Sequence, residues 1–119
     1  MESPLNEPRI FDEAVFKRLF ASLPREQASA FVRILTERAD TLLGKLRGID
    51  GAVAVDQALG EEAHVLAGSG GLFGFMEMGR LAREFEYAVQ TGAADVEGAA
   101  KLLIGGIEAS LIEMRRHYG

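Results

Sequence analysis

The sequence predicts an all-α protein, an antiparallel up-down four-helix bundle with a short extra helix at its N-terminal end. Apolar residues recur at spacings of three, four and seven along most of the chain, which is the period of a helix with one buried face. Sustained alternation of apolar and polar residues, the pattern of a half-buried strand, does not occur in the sequence. The breaks between periodic segments are short, so consecutive helices are expected to run antiparallel.

The start of the chain predicts a flexible arm over residues 1–10, followed by one helical domain over residues 11–119. Two prolines interrupt the arm and disfavour a helix there. Asp12 is a suitable N-cap for a short first helix over about 12–21. The apolar stripe of this helix consists of Val15, Phe16, Leu19 and Phe20.

Two longer periodic segments follow. Pro24 begins a second helix over about 24–47, because proline is tolerated in the first turn. Its predicted stripe is Ala28, Phe31, Leu35, Leu42 and Leu46. After a break at 48–51, a third helix ends near Gly71. Its predicted core-facing residues are Val55, Leu59, Leu66, Gly70 and Phe73.

The last two helices have clear end signals. The fourth covers about 76–91, and Gly92 is suited to its C-terminal stop. Its predicted stripe is Met78, Leu81, Ala82, Phe85 and Val89. Asp95 is a suitable N-cap for the fifth, over about 96–117. The stripe of the fifth helix is Val96, Ala100, Leu103, Ile107, Leu111 and Met114.

Composition narrows the class of protein. The 119 residues suit one domain, and the absence of cysteine excludes a disulfide framework and thiolate metal sites. A net charge of −5 with scattered basic residues argues against a nucleic-acid partner. No apolar run approaches the roughly 20 residues of a membrane span, and the start lacks signal-peptide features. We therefore expect a cytoplasmic monomer with no membrane partner.

The third helix carries His64 on the side opposite its apolar stripe, and that side is almost free of side chains. The residues on or beside it are Gly60, Glu61, Ala67, Gly68 and Gly71. Each glycine in a helix costs about 1 kcal/mol relative to alanine, so an ordinary exposed face would carry other residues. The pattern indicates a docking surface that leaves room for a second protein around the imidazole. Phe75 and Met76, where the third and fourth helices meet, are candidates to extend it.

The imidazole suggests the chemistry of this surface. Histidine side chains are mostly neutral near pH 7, so a ring nitrogen can act as a nucleophile toward a phosphoryl group. The glycines of residues 68–74 do not form a nucleotide-binding loop, because a helix precedes them and Gly-Lys-Ser/Thr is missing. The spacing of Glu61 and His64 occurs in helical bundles that bind two metal ions. Such sites need a second Glu-x-x-His pair, and this sequence contains none. No metal site is therefore expected.

The segment that starts at His64 resembles the histidine-containing phosphotransfer (Hpt) domain, whose motif reads His-x-Leu-Lys-Gly-Ser, followed by small and apolar residues and a helix that ends near a Glu. The matching residues are His64, Leu66, Gly68, Ser69, Gly70, Gly71, Phe73, Gly74, Leu81, Phe85 and Glu86. The resemblance implies a four-helix bundle in which His64 is phosphorylated. It implies that Gly68 provides clearance and that Ser69 supports the site by orienting or packing.

The resemblance also implies the partners. Phosphate is exchanged with the aspartate of response-regulator receiver domains, often between a hybrid sensor kinase and a final regulator. The chain is then a phosphocarrier rather than an enzyme, uses no ATP directly and needs no cofactor, since Mg²⁺ resides on the receiver domain. One departure is Ala67, where the family usually has Lys. Arg80 or Arg83 is a candidate to supply the missing positive charge.

Two other functions remain open at this point. A non-catalytic helical module would bind receiver domains without carrying phosphate, and the departure at Ala67 motivates this alternative. A dimeric kinase-type phosphotransferase would need an ATP-binding domain in addition to the helices.

Overall fold

The computed structural model describes residues 10–48, 57–92 and 95–118, and over these ranges the chain forms five α-helices and no strand. The all-α prediction is confirmed. The helices are α1 (Glu13–Ser22), α2 (Arg25–Arg47), α3 (Gln57–Leu72), α4 (Met76–Thr91) and α5 (Val96–Tyr118). Val55 and residues 1–9 of the predicted arm lie outside the described ranges, and none of the described helices has the length and hydropathy needed to cross a bilayer.

The predicted helix ends are confirmed by their hydrogen bonds. The Asp12 carboxylate accepts from the backbone N–H of Ala14 at 3.0 Å, and the Asp95 carboxylate accepts from that of Gly98 at 3.1 Å. Both are N-caps that satisfy backbone donors otherwise left unpaired in the first turn. Gly92 ends α4 with a φ of 65°, a left-handed conformation that suits glycine.

Helices α3 and α4 run antiparallel and approach each other through small residues. A Cβ added to Gly60 would lie 3.2 Å from Cγ1 of Val89, near one end of the pair. Near the other end, a Cβ added to Gly79 would lie 3.1 Å from the Ala67 carbonyl oxygen. Separations this short leave little room for a side chain at either glycine. The packing therefore fixes how α4 is rotated relative to the outer face of α3.

The other two long helices complete the core. Helix α2 packs against α3 and α5, and α5 also packs against α4. The largest fully buried side chains are Leu35, Leu42, Leu46, Leu66, Phe75, Met78, Phe85, Leu103, Ile107 and Met114. Phe31 was expected in the stripe of α2 but is 40% exposed. The next residue, Val32, takes the inward position, and the Phe31 ring instead lies edge-on to Phe73 near the surface.

The start of α1 is attached to the connection between α3 and α4. The backbone N–H of Asp12 donates to the Gly74 carbonyl at 2.7 Å, and the rings of Phe11 and Phe75 are 5.0 Å apart. Gly74 has a φ of 93°, and a Cβ there would lie 2.7 Å from the Asp12 carbonyl oxygen. Glycine is therefore required at this turn both by its backbone conformation and by the close approach of α1.

Candidate functional site

His64 lies on the outer surface of α3, as its position on the helix predicts, with 71% of its side chain exposed. Its Nδ1 is 2.9 Å from Oε2 of Glu86, which α4 contributes from a largely buried position. The side-chain amide of Gln90, one turn further along α4, donates to the same carboxylate oxygen at 3.2 Å. A carboxylate this close to Nδ1 favours the tautomer with the proton on that nitrogen, which leaves the available lone pair on Nε2.

The glycines of α3 fall into two groups. A Cβ added to Gly68 or Gly71 would meet nothing within 4 Å, so both leave the surface beside the imidazole open. Gly60 is buried against Val89, and its expected place on the docking surface is wrong. Gly70 faces Met78 and the backbone at the start of α4, where it permits close packing.

Two other predicted surface residues are also buried. Phe75 is 0% exposed, because its ring packs against Phe11 in the core rather than at the rim. Its expected role on the docking surface is therefore wrong. Ala67 is only 4% exposed but still lines the space next to the imidazole. Glu61 and Met76 are exposed, as expected, and Ser69 is partly buried.

A cleft of about 330 Å³ lies between the outer faces of α3 and α4. Its lining residues are His64, Ala67 and Gly68 from α3 and Arg83, Glu86, Tyr87 and Gln90 from α4. The α4 residues are spaced by three, four and seven, so they form one face of that helix. Of these four residues, the sequence pointed to Glu86 as a match to the family motif and to Arg83 as a candidate source of positive charge, whereas Tyr87 and Gln90 had no predicted role.

The two arginines proposed to replace the usual Lys have different surroundings. The Arg80 guanidinium hydrogen bonds to Glu77 at 2.9 and 3.1 Å and also pairs with Glu84. The hydrogen bonding that Arg80 donates to Glu77 is the main cause that raises the pKa of Arg80 above its ordinary value. Arg83 lines the cleft and forms no ion pair with any described residue.

The outer face of α3 also carries apolar side chains. Val65 is 41% exposed and Leu72 is 61% exposed, and their spacing of seven residues puts them on one face of α3. Glu62, which the helical wheel directs toward the core, reaches α2 and accepts from Nζ of Lys45 at 2.7 Å. Within the described ranges, no three His, Asp or Glu side chains are grouped as a metal site would require.

The family model described as the Hpt domain matches residues 30–117, which include α3, α4 and the cleft between them. Searches of curated proteins and of solved structures found no match to this chain.

Proposed function

The chain belongs to the Hpt domain family, which acts in phosphotransfer of two-component signalling, and on this premise we propose that His64 carries a phosphoryl group between receiver-domain aspartates. The observation that supports this most is the exposed imidazole whose Nδ1 is held 2.9 Å from Glu86. This contact positions the ring, and Nε2 then faces the open positions at Gly68 and Gly71 in our proposal.

The transfer step follows from this orientation. The Nε2 lone pair attacks the phosphorus of an aspartyl phosphate, an N–P bond forms, and the P–O bond to the aspartate breaks. The aspartate leaves as a carboxylate, and the Nδ1 proton stays on the ring. The phosphorylated ring therefore gains positive charge, which the Glu86 carboxylate offsets. The reverse step passes the phosphoryl group to a second aspartate and restores the neutral imidazole.

The remaining requirements belong to the partner. Phosphoryl transfer depends mainly on positioning the reacting groups and on neutralising the charge of the phosphoryl group. Mg²⁺ bound to the receiver domain provides much of this charge neutralisation. On this chain the partner needs access, which the bare positions at Gly68 and Gly71 give. We assign the docking surface to these two glycines with the exposed side chains of Glu61, Val65 and Leu72. Met76, also exposed, lies at its edge near the start of α4.

Incubation with a phosphorylated receiver domain tests the proposal. The expected product is a phosphoprotein whose label is lost in acid and kept in base, as for a phosphoramidate rather than an acyl phosphate. The second candidate, a receiver-binding module without phosphate, is favoured by Ala67 in place of the usual Lys. Binding to the receiver without any transfer of label would support that candidate and contradict the carrier.

Substitution of Glu86 is expected to slow phosphoryl transfer while the helical bundle still folds. In Glu86→Ala the imidazole loses its carboxylate neighbour at Nδ1, and we expect initial transfer to slow by about 10- to 100-fold, the range found when the partner that orients a metal-bound histidine is removed. Glu86→Gln keeps an acceptor oxygen but no charge, so its loss should be smaller. The measurement is the rate of label transfer from a phosphorylated receiver.

Glu84→Ala is the matched control, because Glu84 is an exposed carboxylate of α4 that pairs with Arg80 outside the cleft. It should transfer at the wild-type rate. Equal rates for Glu86→Ala and wild type would show that the Nδ1 contact has no role in the reaction.

A further inference from the structure

The cleft must accommodate a strongly negative group once His64 is phosphorylated. A phosphoryl group adds about 1.5 to 2 negative charges at neutral pH. The carboxylate of Glu86 already occupies the cleft, and Ala67 brings no charge from the position where the family usually has Lys. Without a cation nearby, repulsion between Glu86 and the phosphoryl oxygens would oppose phosphorylation.

We propose that Arg83 of α4 supplies this cation and contacts the phosphoryl group on His64. Among the described residues that line the cleft, Arg83 is the one with a permanent positive charge. Its guanidinium is not engaged by any described carboxylate, so it is available to a new anion. Arg80, one turn earlier on α4, is held by two carboxylates and does not line the cleft.

The geometry of α4 explains why the charge comes from this helix. Arg83 lies three residues before Glu86 on the same face of α4, and both side chains line the cleft together with His64. Guanidinium groups bind phosphoryl oxygens through two parallel hydrogen bonds. The positive charge has thus moved from α3 in the usual family pattern to α4 here. This inference rests on the proposed function, because it concerns the phosphorylated state of His64.

The first test does not need a receiver domain. The protein is phosphorylated with phosphoramidate, a small-molecule phosphoryl donor, and the ³¹P resonance is followed as a function of pH. A neighbouring cation favours the more negative form, so its removal should raise the midpoint of the titration. For Arg83→Gln we expect a rise of about half a pH unit, the scale of an exposed charge pair. Arg83→Lys, which keeps the charge, should stay close to wild type.

Arg80→Gln is the matched control, since it removes an arginine from the same helix outside the cleft. It should leave the midpoint unchanged. A midpoint for Arg83→Gln equal to that of wild type, or an equal rise in Arg80→Gln, would overturn the inference. Circular dichroism of each variant shows whether the helices are retained.

The second test measures the phosphoryl equilibrium with a receiver domain. Arg83→Gln should shift it toward the receiver by about three- to fivefold, because an exposed contact is worth at most about 1 kcal/mol. If wild type accepts no phosphoryl group from the receiver but Arg83→Gln shifts the ³¹P midpoint, the relay role fails while the contact stands. If wild type transfers normally and Arg83→Gln alters neither the ³¹P midpoint nor the equilibrium, the contact with Arg83 is contradicted and the relay role stands. If wild type is labelled by neither donor, both fail.

Discussion

His64→Gln is expected to abolish phosphorylation of this protein while leaving its fold intact. The amide of glutamine offers no nucleophilic nitrogen, so transfer from a phosphorylated receiver should fall below detection. Because 71% of the His64 side chain is exposed, the free energy of unfolding should change by no more than about 0.5 kcal/mol. The measurements are label incorporation and urea unfolding of the same preparations.

His117→Gln is the control, because the sequence contains only two histidines. His117 lies in the last turn of α5, whereas His64 lies on α3. The control should incorporate label at the wild-type level. Undiminished labelling of His64→Gln would rule out His64 as the phosphorylated residue. A loss of label in His117→Gln would show that His117 is needed for labelling and would also contradict the proposal.

Much of the fold could be predicted because its signals are local. The capping side chains Asp12 and Asp95 act within three residues, and Gly92 ends α4 through its own backbone conformation. Helical periodicity identifies a buried face from one segment at a time. Periodicity does not decide which of two adjacent apolar residues is the buried one. Phe31 was therefore expected in the core, although Val32 occupies the buried position.

The site could be predicted only where a single helix determines it. His64 and Gly68 share a face of α3 whatever the other helices do, so the exposed imidazole and its bare neighbour followed from spacing. The pairing with Glu86 depends on the rotation of α4, which the packing at Gly60 and Gly79 sets. Sequence spacing on one helix contains no information about that rotation.

The same limit explains the errors. A glycine on a helical wheel is compatible with open surface and with close helix packing. Gly60 serves close helix packing, because Val89 lies against it. Gly68 forms open surface, because no atom lies within 4 Å of an added Cβ. Phe75 is covered by Phe11, which lies just before α1, a contact between segments more than sixty residues apart. Each of these outcomes depends on a neighbour from another element.

Substitution of Gly68 is expected to move stability and phosphotransfer in opposite directions. A Cβ at this position would meet nothing within 4 Å, and glycine is the poorer helix former, so Gly68→Ala should raise the free energy of unfolding by up to about 1 kcal/mol. Gly68→Gln should also be stabilising, by a smaller amount. Its side chain, one turn from His64, would stand between the imidazole and the receiver. We expect transfer by Gly68→Gln to slow by about 100-fold, because small misplacements of reacting groups have effects of this size.

Gly105→Gln provides the matched control. Gly105 is also an exposed helical glycine with nothing within 4 Å of an added Cβ, but it lies on α5, which does not line the cleft. The two glutamine variants should gain similar stability, and only Gly68→Gln should lose transfer. Slower transfer with unchanged receiver affinity would assign Gly68 to the approach of the reacting groups, whereas parallel losses would assign it to docking. If Gly68→Gln unfolds more readily than wild type, the glycine has a packing role, and the open surface beside His64 loses its functional explanation.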